Sequence, residues 1–290
     1  MTSTAAIFKK QLATMSARPR TLEEESAIRQ RLEADYWPRA RDIVHFVGVC
    51  GAGKSTLASR LAKRCVTFGG KATGTIDYDP HTSDHERADE RAFSRELDRR
   101  NNAAGGHDPA IHREIVAQSL ARLDAWKRLD TNVVLVDRWY ESYDHLPRNY
   151  LTEIETAIAA SGFHFRRILL LVADGIQGDE EGPMRQRLLH TKANRPESWW
   201  ATGPVTLDDW VREECAYQDD YRHFCEQSRF PTMTLCTTAM AWEGYEDKIV
   251  DALLRVCLFD GLEGRKHGMS PPTSCDFNYS FSKAGVSQAI

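Results

Sequence analysis

The octapeptide Gly48-Val49-Cys50-Gly51-Ala52-Gly53-Lys54-Ser55 places glycine at its first and sixth positions, followed by lysine and a hydroxyl residue. This is the spacing GxxxxGK[ST]. Glycines at these points let the backbone curl until successive N–H groups face one small volume, which suits the oxygens of a phosphate chain. A helix starting where the loop ends adds the positive end of its dipole. The expected chemistry is therefore binding of ATP with Mg²⁺. Gly48, Gly51, Ala52, Gly53, Lys54, Ser55 and Thr56 form the cradle, Lys54 bridges the β and γ phosphates, and the Ser55 hydroxyl is a ligand of the metal.

Such chemistry needs a second carboxylate, and Val133-Val134-Leu135-Val136-Asp137 supplies one at the end of an apolar run. At a strand end beside the loop, Asp137 can hold Mg²⁺ through water. An aspartate there also serves as a helix cap or turn residue. Phosphoryl transfer further needs a base for the attacking hydroxyl. Asp77 and Asp79 both qualify, because residues two apart leave a strand on the same face. Asp79 is favoured, since Pro80 ends strand pairing and leaves it nearer the open edge. His81, Asp84 and His85 lie close by at spacings that could ligate a metal. Pro80 and Thr82-Ser83-Asp84 instead make a turn and helix cap of that stretch.

These residues must be carried to one place by their elements. Thr21-Leu22-Glu23-Glu24 has the capping-box pattern and predicts a helix to about Tyr36. The apolar run Ile43 to Val47 predicts a strand, followed by a helix from Ser55 to about Arg64. Further strands are expected at Ala72 to Tyr78, Val133 to Val136, Ile168 to Val172 and Met233 to Cys236. Helices are expected over Asp84 to Arg100, Ile111 to Leu129, around Leu151 to Ile158, over Leu207 to Phe224 and around Tyr245 to Val256. Strands alternating with helices imply an α/β fold: a parallel five-stranded sheet covered by helices on both faces. Ligands of such sheets bind beyond the carboxyl ends of the strands, where the loop and both sets of aspartates fall. The expected division is a helical extension over 1–40, a phosphate-binding domain over 41–258 and a C-terminal tail over 259–290. The stretch from Asp174 to Val205 is expected to be irregular, with Trp199-Trp200 as its apolar content.

With these motifs in place, the chain resembles the P-loop nucleoside and nucleotide kinases, thymidylate kinases and deoxynucleoside kinases in particular. Asp137-Arg138-Trp139-Tyr140-Glu141-Ser142 resembles the DR[YF]xxS segment of thymidylate kinases, and Asp79-Pro80 stands where that family has Glu-Pro. The family's Arg-Glu-Pro-Gly-Gly stretch is absent. The resemblance implies a P-loop kinase sheet with an arginine-containing lid at about 174–206. It also implies that Arg138 and the lid's Arg185, Arg187 and Arg195 close over the transferring phosphate. The arginines of any exposed polar loop equally form a solvated rim. Trp139, Tyr140 and Tyr143 follow the third strand, where the superfamily lines its acceptor pocket. Trp199 and Trp200 either stack on the acceptor or anchor the lid.

The bulk properties narrow the partners. A net charge of −4 gives no global basic field to gather nucleic acid, and no apolar run is long enough to span a bilayer. The seven cysteines form no CxxC pair, which suits reduced thiols in a cytoplasmic protein. The expected activity is transfer of the γ-phosphoryl group of ATP to a hydroxyl or phosphate of a nucleoside, nucleotide or similar small molecule. Two alternatives stand beside it: a polynucleotide end or modified DNA base as acceptor, and an ATPase switch with no acceptor. The oligomeric state is not encoded in any motif.

Overall fold

The computed structural model of the 290-residue chain describes residues 21–38, 40–75, 96–97, 99–100, 103, 108–137, 139–140, 146–172, 182–194, 206–250 and 252. Five parallel strands form one sheet in the order β2-β3-β1-β4-β5. They are β1 (Asp42–Gly48), β2 (Ala72–Thr75), β3 (Val133–Asp137), β4 (His164–Leu171) and β5 (Thr232–Cys236). Every residue of β1 and β3 is buried. The apolar runs of both strands, broken in β1 by His45, suit strands covered on both faces.

Side chains alternate between two cores. Val44 and Phe46 of β1, Val133 and Leu135 of β3 and Ile168 and Leu170 of β4 pack on one face. They meet Leu57, Ala58 and Leu61 of α2 (Lys54–Thr67), and Tyr245 and Ile249 of α7 (242–250). Ile43, Val134, Val136 and Phe165 face the other way. There they meet α3 (Pro109–Lys127) and α4 (Arg148–Ala160) through Ile111, Ile115, Leu123, Ile154 and Ile158.

The N-terminal helix begins as its cap predicts. Thr21 Oγ1 accepts from the Glu24 amide at 3.2 Å, while Glu24 Oε2 accepts from the Thr21 amide at 2.8 Å. The helix, α1 (Leu22–Arg31), runs into a π-helical turn over Leu32–Tyr36. Leu32 and Tyr36 enter the first core, the Tyr36 hydroxyl donates to Asp42 at 2.7 Å, and the Trp37 indole donates to the Phe68 carbonyl at 2.7 Å. The extension is thus docked at the amino end of β1, opposite the phosphate loop.

Two expectations change. β4 begins at His164, four residues before the expected Ile168. Its charged Arg166 and Arg167 conceal a strand from any reading based on apolar runs. Arg167 is 1% exposed, with the Tyr140 hydroxyl at 2.5 Å, Glu155 at 3.4 Å and the Phe224 ring 4.6 Å away. In the stretch expected to be irregular, the described part contains α5 (Pro183–Ala193), opened by a proline at its first position. Met184 and Leu188 give it apolar anchors in the first core. α6 (Leu207–Gln227) follows, capped by Thr206, and both its Leu207 and its Trp210 reach that same core.

Candidate functional site

β1 delivers its last residue, Gly48, beside Leu170 of β4, and pairs Phe46 with Asp137 of β3. The loop leaving β1 and the carboxylate ending β3 therefore meet at the carboxyl edge of the sheet. Within the loop Gly51 and Gly53 have φ of 74° and 97°, conformations that L side chains rarely adopt. Space excludes a side chain as well. A Cβ on Gly53 would lie 2.5 Å from Trp242 Cζ3, and one on Gly51 would lie 2.7 Å from Thr191 Oγ1.

Helix α2 starts at Lys54, so the loop's amides and the positive helix end converge. Lys54 is buried, and its Nζ folds back to donate to the carbonyls of Gly48 at 2.6 Å and Val49 at 2.9 Å. Ser55 Oγ donates to Asp137 Oδ2 at 2.5 Å. The other oxygen, Asp137 Oδ1, is buried with no hydrogen-bond partner among the described residues. A buried carboxylate oxygen left this way is costly. Paired with a serine hydroxyl beside a phosphate cradle, it is the donor set that a hard divalent cation or its water accepts. The residues fit Mg²⁺ on this ground. Among the described residues no group of three His, Cys, Asp or Glu side chains forms another metal cluster.

The loop is held from outside by the C-terminal third of the chain. Thr237, just past β5, donates through Oγ1 to the Ala52 carbonyl at 2.8 Å. Its own carbonyl accepts from Arg187 of α5. The Arg187 guanidinium lies 5.2 Å from the Trp242 ring centroid, and that ring in turn covers Gly53. Burial pushes the Arg187 pKa below the ordinary arginine range. Glu214 of α6 accepts the Cys50 amide at 2.8 Å. None of Thr237, Glu214 or Trp242 was foreseen from sequence. Glu214 alone had a signal: it stands one turn after Trp210, on a buried helix face.

The site residues expected from sequence divide into three groups. Gly48 to Ser55 and Asp137 come together, with Thr56 exposed at the first turn of α2. Arg187 reaches the loop from a buried position rather than a solvated rim, while Arg185 pairs with Asp208 of α6. Asp77, Asp79, Arg138 and Arg195 lie outside the described residues, as do His81, Asp84, His85, Tyr143, Trp199 and Trp200. Trp139 and Tyr140, expected beside the acceptor, are 3% and 0% exposed. They are buried in the second core, with Trp139 4.6 Å from Trp126 and Tyr140 bonded to Arg167. Their sequence position after the strand is right, but the packing of β3 against α3 turns them inward. No described helix is long and apolar enough to cross a membrane.

Comparisons with known proteins add little to this geometry. No protein family model matches the chain, and no curated protein matches its sequence. Among solved structures, the chain is similar to polyphosphate kinase 2 from Arthrobacter aurescens TC1, with 15% identity, a TM-score of 0.42, and coverage of 91% of this chain and 86% of that one. A gluconokinase from Sinorhizobium meliloti 1021 matches at 14% identity and a TM-score of 0.40, covering 79% of this chain and 99% of that one. An APS kinase of Mycobacterium tuberculosis in complex with AMPPNP and APS matches at 13% identity and a TM-score of 0.30, covering 63% of this chain and 99% of that one. At such scores the arrangement of this chain's own residues, and not the likeness, is what bears on function: a parallel α/β sheet with a glycine-rich loop, a lysine, a serine and a strand-end aspartate at its carboxyl edge.

Proposed function

We propose that the chain is an ATP-dependent phosphotransferase acting on a small-molecule acceptor, with a nucleoside or nucleotide as the acceptor class. The observation that carries this reading is the Ser55–Asp137 contact beside the loop, with Asp137 Oδ1 buried and without a hydrogen-bond partner among the described residues. A loop used only as a structural turn has no need of such a pair. The acceptor class rests on the Asp137-Arg138-Trp139 segment and its resemblance to thymidylate kinases.

In this reading the amides of the loop and the positive end of α2 hold the phosphate chain. Lys54 swings from the Gly48 and Val49 carbonyls to the β and γ phosphates, exchanging neutral acceptors for charged ones. Ser55 and Asp137 hold Mg²⁺, which neutralises charge on the phosphates when bound. An acceptor oxygen forms a bond to the γ phosphorus as the bond to the β–γ bridging oxygen breaks, leaving ADP. The acceptor's proton passes to Asp79 or Asp77, and Arg138, Arg185, Arg187 and Arg195 are the candidates to stabilise the moving charge.

The test is ADP release from MgATP with and without a panel of nucleosides, nucleotides and sugars, with products identified by mass spectrometry. Release stimulated by one acceptor class, with that acceptor phosphorylated, is the expected result. Turnover indifferent to every acceptor would overturn the kinase reading in favour of an ATPase.

A further inference from the structure

Trp210, Glu214 and Gln218 stand one helical turn apart on α6 and so share one face. Trp210 packs in the first core, while Glu214 and Gln218 reach backbone groups at the carboxyl edge of the sheet. Glu214 Oε2 accepts the Cys50 amide at 2.8 Å, and Oε1 accepts the Trp210 indole N–H at 3.1 Å. One turn further, Gln218 accepts from the Val172 amide at 2.7 Å and donates to the Val172 carbonyl at 3.0 Å. Val172 follows the end of β4, two residues beyond the Leu170 that pairs with Gly48. One helix face thus grips both the phosphate loop and the strand beside it. Glu214 is 8% exposed and Gln218 fully buried.

A buried carboxylate is expensive unless its oxygens are satisfied. Placed against a loop that receives phosphate, it also adds repulsion. Electrostatics alone would select a neutral residue here, so the carboxylate must do something that offsets both costs. Its geometry indicates what. The two oxygens are satisfied by two N–H groups, one from the loop and one from its own helix. Binding the Cys50 amide removes that donor from the inward-facing set and fixes the third residue of the loop. The amides after it are left to curve around the phosphate space.

We propose that Glu214 is a positioning residue for the phosphate loop, holding it open in its phosphate-receiving curl through the Cys50 amide, with Trp210 orienting the carboxylate. The proposal rests on the reading of the loop as an ATP site. The ordering of the loop is done before nucleotide arrives, so binding need not supply it.

The experiment measures the affinity of the full chain for AMPPNP with Mg²⁺ by titration calorimetry. The unaltered chain binds and Lys54→Ala binds far more weakly; if neither binds, the ATP reading fails and the proposal falls with it. Given wild-type binding, Glu214→Ala is expected to weaken AMPPNP by about tenfold or more. Glu214→Gln keeps an oxygen for the Cys50 amide but sets its NH₂ against the Trp210 N–H, so its loss is intermediate. Adding Trp210→Phe removes that opposing donor, and the double variant is expected to bind more tightly than Glu214→Gln alone. A residue that merely packs the helix predicts the reverse, with two losses adding. Wild-type or tighter binding by Glu214→Ala would overturn the proposal. Should Glu214→Ala not fold, a double variant that binds no better than Glu214→Gln overturns it equally.

Discussion

Lys54 and Asp137 sit within the same small volume yet are committed to different partners. Lys54 is occupied with two loop carbonyls and must leave them to reach a phosphate. Its replacement by alanine removes the only side-chain cation of the loop. Lys54→Ala is expected to lower phosphoryl transfer by about a hundredfold or more, with an unchanged circular dichroism spectrum. Near-normal turnover would remove Lys54 from the chemistry. Asp137→Asn keeps the shape of the carboxylate and its contact with Ser55 but not its charge. It is expected to cut kcat and to raise the Mg²⁺ concentration needed for half-maximal rate by about tenfold. An unaltered Mg²⁺ dependence assigns Asp137 to a structural role. At Gly53, substitution by alanine meets both a left-handed φ and the Trp242 ring, so loss of nucleotide binding is expected to exceed any loss of stability.

Among the elements, α1, docked at the amino end of β1, and α5, which covers the loop, differ in how they are held. α1 depends on local capping and a short buried end. Thr21→Ala removes the acceptor for the Glu24 amide and is expected to cost about 1 kcal/mol, read as a small fall in thermal midpoint with nucleotide binding unchanged. A fall in nucleotide affinity would mean that α1 reaches the site. α5 is anchored by Met184 and Leu188 and lies directly over Gly51 through Thr191 and Arg187. Amide exchange over α5 is therefore expected to slow when AMPPNP and Mg²⁺ fill the loop. Exchange that does not respond to ligand would separate α5 from any closing motion.

At the scale of the whole molecule, the second core is organised around a charge. Arg167 and Glu155 are both buried, and Glu155 is further bonded to Ser228 at 2.5 Å and to the Arg229 amide at 3.1 Å. This single carboxylate ties α4 to the turn before β5, and Arg167 brings β4 and Tyr140, three residues past β3, into the same arrangement. Removing one partner leaves an uncompensated buried charge. Glu155→Ala is expected to destabilise by about 3–5 kcal/mol in denaturant unfolding, and Arg167→Met with Glu155→Leu by much less. Equal losses in the single and double variants would show that packing, not charge, holds this core. Cys65 offers a local probe of the first core, since burial first and then Asp42 and Glu246 push its thiol up to about 12. It is expected to stay unalkylated at pH 8 until the chain unfolds.

What the sequence determined by itself is everything that depends on a few adjacent residues. The curl of the phosphate loop follows from glycines that alone tolerate its φ values. The buried β3 follows from the unbroken apolar run Val133 to Val136, most of β1 from a run interrupted by His45, and the start of α1 from a reciprocal cap between Thr21 and Glu24. The alternation of these elements was enough to predict a parallel sheet, and the place of Ser55 and Asp137 at its carboxyl edge. The tertiary structure decided what faces the loop. Glu214 meets Cys50 across 164 residues of chain, and Thr237 meets Ala52 across 185. Contacts of that span arise from how α5, α6 and the turn after β5 pack on the sheet, and no local pattern announces them. The same is true of Arg167, which is written as a surface residue and buried because Glu155, Tyr140 and Phe224 converge on it. A charge inside a strand can be compensated only by partners brought from elsewhere in the chain, so its position is fixed by packing and not by its neighbours in sequence.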